Sequence, residues 1–255
     1  MNKRIVIGNM KMNPVSSAEM DRYLETLKKE LKGKEFEKTE LVICPPVIYF
    51  EKILALKIKN IELGAQNIFW EYQGAYTGEI SASMVKNMGA KYSMVGHSER
   101  RRYFGETEEI INLKLKAILK CGLRAVLCIG ESLEDRKKNQ TAVVVKKQLK
   151  ESLAGVGPGK IEYVDIVYEP IWAVGSDSVP SSDEILEAKL IIKKTLAELY
   201  SMKIAEKARI LYGGSISMRS VDQVCIDPAM DGGLVGRESL VPHELVKIVE
   251  IIEKS

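Results

Sequence analysis

Eight short apolar runs, each followed by a segment of helical character, leave this chain few folds to choose from. The runs are Arg4-Ile-Val-Ile-Gly-Asn9, Leu41–Cys44, Ile61–Gln66, Tyr92–Val95, Arg124–Ile129, Ile166–Tyr168, Arg209–Tyr212 and Gly233–Val235. Runs this short and this apolar are the signature of buried strands. Between them, Ser16-x-x-Glu19 predicts a capping box for a helix to about Lys32, and Thr107 caps a helix to Cys121. A Lys-rich helix is expected over about Leu133 to Ala154. Ser181-x-x-Glu184 caps another, with Ile185, Ala188, Ile192, Leu196 and Leu199 apolar. A last helix buries Leu245, Ile248, Val249 and Ile252 at i, i+3, i+4, i+7 spacing. No linker or composition shift interrupts the alternation, which predicts one α/β domain over residues 1–255, an eight-stranded parallel barrel. A doubly wound open sheet is the alternative, disfavoured because no GxGxxG follows the first strand.

Composition excludes several classes of function. At 255 residues, 45% hydrophobic and 29% charged, the chain has apolar mass for a sizeable core. A net charge of +3 is too small to imply nucleic acid. Cys44, Cys121, Cys128 and Cys225 show no CxxC spacing, which argues against a zinc site or disulfide framework and fits a reducing cytoplasm. The N-terminus carries no signal-like apolar region and no stretch reaches membrane length, so no membrane partner is expected.

In a parallel barrel, chemistry gathers at the carboxyl ends of the strands. Those ends carry Asn9 and Lys11, Gln66, His97 and Glu99, Gly130, Glu169, Gly213-Gly214-Ser215, and Gly236. Glu169 stands directly before Pro170, which holds it extended at the mouth of its strand. A carboxylate leaving an apolar strand is partly desolvated, which makes it a better proton acceptor. The segment that follows, Pro170-Ile171-Trp172-Ala173-Val174-Gly175-Ser176-Asp177-Ser178-Val179-Pro180, is long for a strand–helix connection and is built like a lid with stiff ends. Taken singly, His97 reads most simply as structural, Lys11 as a surface lysine and Glu169 as a solvated loop carboxylate. Together, a base, a fixed cation and a neutral donor suit removal of a proton beside a carbonyl. Ser-His-Asp chemistry is disfavoured because no GxSxG is present. A metal is not expected, since His97 and His243 are the two histidines and no carboxylate cluster accompanies them. The glycines after the seventh and eighth runs lie where barrels bind phosphate through backbone N–H groups.

At these residues the chain resembles the triosephosphate isomerase family over essentially its whole length. The matching motifs are Gly8-Asn-Met-Lys-Met12, Gly64-Ala-Gln-Asn67, Gly74-Ala-Tyr-Thr-Gly-Glu79, Gly96-His-Ser-Glu-Arg-Arg101, Cys128-Ile-Gly-Glu131, Tyr168-Glu-Pro-Ile-Trp-Ala173, Tyr212-Gly-Gly-Ser215 and Asp231-Gly-Gly-Leu-Val-Gly236. Each is a weak signal; their joint order and spacing are specific. The resemblance implies a single-domain (β/α)8 TIM barrel that interconverts dihydroxyacetone phosphate and D-glyceraldehyde 3-phosphate through an enediolate, with no cofactor or metal. It implies Glu169 as the base, neutral His97 as the polarising donor, and Lys11 and Asn9 as stabilisers of the enediolate, with Glu99 holding Lys11. This family is itself the usual illustration of such a base, such a histidine and a closing loop. Backbone N–H groups of Gly175, Ser215, Gly236 and Arg237 would grip the phosphate. A homodimer is implied, formed by the loop from Gln66 and Asn67 through Tyr76, Thr77, Gly78 and Glu79, with Thr77 reaching the neighbouring subunit.

Two departures stand out. The family's Thr-Gly-Lys after the lid glycine becomes Ser176-Asp177-Ser178-Val179-Pro180, and its Gly-Gly-Ala-Ser becomes Gly236-Arg237-Glu238-Ser239. They keep a longer ketose phosphate, such as a tetrulose phosphate, in view as an alternative substrate. A non-catalytic sugar-phosphate-binding barrel is the alternative from another class, disfavoured by intact Lys11, His97 and Glu169.

Overall fold

A computed structural model describes residues 3–58, 61–176 and 179–255. Its strands are β1 (Arg4–Asn9), β2 (Thr39–Cys44), β3 (Ile61–Ala65), β4 (Tyr92–Val95), β5 (Arg124–Ile129), β6 (Val164–Tyr168), β7 (Ile210–Tyr212) and β8 (Gly232–Val235). They close in sequence order into a parallel barrel: Val6 of β1 pairs with Leu41 of β2 on one side and with Gly233 of β8 on the other. Around it lie α1 (Ser17–Leu31), α2 (Phe50–Ala55), α3 (Ala82–Asn87), α4 (Ser98–Phe104), α5 (Glu108–Lys120), α6 (Leu133–Lys137), α7 (Thr141–Ser152), α8 (Ser182–Leu199), α9 (Met202–Lys207) and α10 (Pro242–Lys254). No helix of the described residues is long and apolar enough to cross a membrane.

The unbroken apolar runs are explained by burial on both faces. Ile5 and Ile7 of β1, Val42 and Cys44 of β2, Val126 and Cys128 of β5, and Val167 of β6 fill the barrel interior. The residues between them, such as Val6, Leu41, Ile43 and Leu127, pack outward against the helices. A strand in this position cannot show a polar face, because it has none exposed to water. Helix signals also hold. Ser181 and Glu184 form a reciprocal capping box at α8, and Thr107 accepts the Ile110 N–H at α5.

The helix expected over Leu133 to Ala154 is two helices. A capping box at Ser132 and Asp135 starts α6, and Asn139, with φ of 55°, ends it in the left-handed conformation before α7 begins. Asparagine tolerates that conformation better than most residues, so the break is local chemistry rather than tertiary force. The charged run after β4 is helical, and a π-helical turn spans Asp222–Ile226.

The amino-terminal end of the barrel is sealed by charge. Fully buried Asp165 accepts from Arg209 through Nε at 2.6 Å and Nη2 at 2.7 Å, and from Arg124 Nη2 at 3.1 Å. Arg209 Nη2 also reaches the Tyr92 hydroxyl at 3.4 Å, which donates to Glu40 at 2.6 Å. Burial alone would lower the guanidinium pKa of Arg209, but the Asp165 carboxylate outweighs it and holds it above its usual value. Removing one partner of such a pair leaves an uncompensated buried charge, which costs about 3–5 kcal/mol. Asp165→Asn is therefore expected to lower the unfolding free energy, read by urea titration, by that amount while leaving the far end of the barrel intact. An unchanged unfolding free energy would show that Glu40 and Tyr92 satisfy Arg209 by themselves.

Candidate active site

Beyond the carboxyl ends of the strands lies a cavity of about 800 Å³, lined in part by Asn9, Lys11, His97, Glu169, Gly175, Ser176, Val179, Ser215, Gly236 and Arg237. The chain thus brings together residues far apart in sequence because each lies within a few residues of a strand end.

Lys11 is held in an unusual backbone conformation, with φ of 52°. For a residue with a Cβ this costs roughly 1–3 kcal/mol and persists only where neighbours enforce it. Its N–H donates to Asn9 Oδ1 at 3.0 Å, and its carbonyl accepts from Gln66 Nε2 at 2.7 Å. The same Gln66 amide donates to Cys44 O at 2.8 Å, tying the loops after β1, β2 and β3 together. The Lys11 ammonium, so placed, pairs with Glu99 Oε1 at 2.6 Å. Gln66, which the sequence placed both at a strand end and in the association loop, thus fixes the turn that carries Lys11 without itself lining the cavity. Asn67 likewise is anchored inward, accepting from buried Lys114 at 2.7 Å.

His97 caps α4: its Nδ1 accepts the Glu99 N–H at 3.3 Å. A nitrogen that accepts carries no proton, so the ring hydrogen belongs on Nε2, which faces Glu169 and the cavity. Asn9 Nδ2 approaches Nε2 to 3.4 Å. Both atoms then bear hydrogen, so this is packing rather than a hydrogen bond.

Glu169 is 2% exposed. Its Oε2 accepts from the Ser98 N–H at 2.8 Å. Oε1 lies 3.0 Å from His97 Nε2, yet the geometry is too oblique for a hydrogen bond, leaving Oε1 without a partner among the described residues. One oxygen is anchored and the other is available. Two glycines make room for this arrangement: a Cβ on Gly130 would stand 2.1 Å from the Glu169 carbonyl oxygen, and one on Gly213 would meet Val167 at 2.4 Å.

The segment after Glu169 is tied down mostly by its own carbonyl groups. Ser215 donates to Ala173 O through its hydroxyl at 2.9 Å and its N–H at 3.2 Å. Gln223, in the π-helical turn, donates to Pro180 O at 2.9 Å. Pro170 and Ile171 turn the chain into a short 3₁₀ stretch, Ile171–Ala173. Trp172 Nε1 and the Tyr168 hydroxyl both donate to buried Glu131, at 3.1 Å each, while Arg136 lies over the Trp172 ring. Burial first, and the Glu131 charge second, hold the Tyr168 hydroxyl well above its usual pKa. Asp177 and Ser178 fall outside the described residues. Glu131 and Ser98 lie inside sequence motifs quoted above but carried no assigned role there. Glu131 was visible as a carboxylate closing an apolar strand, whereas Ser98 acts through its backbone and leaves no side-chain signal.

The loop from Tyr76 through Thr77, Gly78 and Glu79 is exposed and does not line the cavity. Its base is closed by the Phe69 N–H donating to Ile80 O at 2.8 Å, with the Phe69 ring against Trp70 and Tyr76. Among the described residues, no three His, Cys, Asp or Glu side chains converge as metal ligands would.

Comparison with known proteins bears directly on this geometry. The family model described as triosephosphate isomerase matches residues 4–252. The triosephosphate isomerase of Alkaliphilus oremlandii is 43% identical over 249 residues, covering 98% of this chain and 99% of that protein. Those of Thermoanaerobacter pseudethanolicus and Dictyoglomus thermophilum are 41% and 39% identical, over 98% of this chain and 99% and 100% of their own lengths. With a family match spanning both ends of the barrel and relatives aligned over their full lengths, the chain belongs to the triosephosphate isomerase family.

Proposed function

We propose that this protein interconverts dihydroxyacetone phosphate and D-glyceraldehyde 3-phosphate, a glycolytic and gluconeogenic step, as a cytoplasmic enzyme. The observation that carries the reading is Glu169: a buried carboxylate with one oxygen held by Ser98 and the other unpartnered beside His97 Nε2. In this reading Glu169 removes a proton from C1 of the ketose and returns it to C2. His97 Nε2–H donates to the carbonyl oxygen and relays a proton between the two oxygens of the enediolate. Lys11, kept in place by Glu99, Gln66 and Asn9, supplies the positive charge that the enediolate needs. The N–H groups of Gly175, Gly236 and Arg237 hold the phosphate, joined by that of Ser215 once it leaves the Ala173 carbonyl to which it donates in this structure. Water exclusion falls to the segment 170–180.

A homodimer is part of the proposal. Met12, Val15, Ile48, Tyr72, Tyr103 and Phe104 are exposed large apolar side chains, borne by the connections after four successive strands, β1 to β4. Apolar side chains gathered in this way mark an association surface, and the Asn67–Glu79 loop projects from the same region.

The coupled assay with glyceraldehyde 3-phosphate is expected to show turnover, and Glu169→Gln to lower kcat by at least ~10²–10⁴ with phosphate binding retained. Turnover within a few-fold of the unmodified protein would remove Glu169 from the role of base. The same assay run with an erythrulose phosphate reads whether residues 176–180 admit a longer ketose.

Tyr212 and Ser215 are expected to behave oppositely. The Tyr212 hydroxyl is buried without a partner among the described residues, and Pro180 has no N–H to offer it. Tyr212→Phe should thus change kcat and KM by less than about twofold, since it removes a hydroxyl that is already unpaired. Ser215→Ala, which loses its bond to Ala173, should weaken binding of a phosphate ester by several-fold. A large loss in the Tyr212 variant would show that the hydroxyl acquires a partner when ligand binds.

Thr77→Arg is expected to weaken association and reduce activity together. Sedimentation of the unmodified protein as an active monomer at micromolar concentration would contradict the dimer.

A further inference from the structure

Arg237 is the residue of the site whose side chain the proposed reaction leaves unused. It opens the 3₁₀ turn Arg237–Leu240 directly after β8, and its Nη2 donates across the mouth of the cavity to the Gly175 carbonyl at 3.3 Å. Gly175 has φ of 69°, a conformation suited to glycine, so the peptide that follows it can be aimed by whatever holds its oxygen. The cavity's other described cationic side chains are Lys11, paired with Glu99, and Arg219. Glu238 and Glu244 also line the cavity and bring negative charge to it. A plain surface cation in this position would be partly neutralised, but a guanidinium directed at a carbonyl keeps further N–H groups free for a second acceptor.

We propose that the Arg237 side chain is a positioning and substrate-binding residue that bridges Gly175 to the phosphate of the substrate. One arm of the fork fixes the Gly175 carbonyl, and the other offers charge-assisted hydrogen bonds to a phosphate monoester lying against Gly236 and Ser215. The bridge joins the loop after β8 to the segment after β6. The Tyr212 hydroxyl makes no such link, being without a partner among the described residues. The inference rests on the isomerase reading of the same cavity.

The test measures binding of sn-glycerol 3-phosphate by calorimetry together with kcat and KM, in the unmodified dimer and its variants. Arg237→Gly is expected to raise Kd and KM about tenfold, the value of one charge-assisted hydrogen bond at an exposed site, while kcat falls by less than about threefold. Arg237→Lys keeps the charge without the fork and should recover only a minor part of that loss. Gly175→Ala should cost binding in the unmodified protein and less in the Arg237→Gly background, because both changes break the same bridge. Kd within twofold of normal in Arg237→Gly, full recovery by lysine, or strictly additive losses would each overturn the bridge. An unmodified protein that neither isomerises glyceraldehyde 3-phosphate nor binds the ester would overturn the functional reading and the bridge with it.

Discussion

The period-two geometry of a single strand sets both ends of this molecule. Asp165, Val167 and Glu169 are two residues apart along β6 and its exit, so all three project into the barrel. Asp165 meets Arg209 and Arg124 at the closed end, Val167 packs in the middle, and Glu169 emerges at the open end beside His97. Neither end has freedom independent of the other. The charged floor closes one mouth with a buried ion network and leaves the opposite mouth to a ligand. Glu169 takes its direction from the same rigid strand, and the Ser98 N–H fixes its Oε2.

Much of this was legible in the sequence, for physical reasons that differ by element. The strands were readable because burial on both faces demands unbroken apolar runs, and the caps at Thr107 and Ser181 because orphan N–H groups demand particular side chains. The cavity residues were readable only jointly, because each alone has a structural reading while a parallel barrel gathers its strand ends at one mouth. The break at Asn139 was hidden, since Lys-rich composition scores as helix on both sides of it. The roles of Gln66 and Ser98 were hidden more deeply. Gln66 acts by binding the carbonyls of Lys11 and Cys44, and Ser98 by its own N–H, neither of which a pattern of side-chain types can encode.

Departures from the family pattern also divide by mechanism. Pro180 has no N–H and the Tyr212 hydroxyl is without a partner among the described residues, but the proline carbonyl remains and accepts from Gln223. At Arg237 the backbone N–H survives while a side chain is gained. The segment after β6 is consequently tethered through its carbonyls by Ser215, Arg237 and Gln223, a set of donors supplied by surrounding loops. In the proposed reaction the chemistry rests on Glu169, His97 and Lys11, which these changes do not touch.

The barrel interior also stores two thiols, and a third is buried outside it in the π-helical turn. Cys44, Cys128 and Cys225 are fully buried, while Cys121 at the end of α5 is partly exposed. Burial pushes the Cys225 thiol up to about 12 and holds Cys44 and Cys128 far above the ordinary range, with the Glu169 charge adding to the effect at Cys128. A thiol in that state is no nucleophile, and reagents in solvent do not reach it. The molecule thus carries its own clock for breathing motions: alkylation at Cys121 counts local fraying, at Cys225 it counts lifting of the π-helical turn, and at Cys44 and Cys128 only those moments when the barrel itself comes apart.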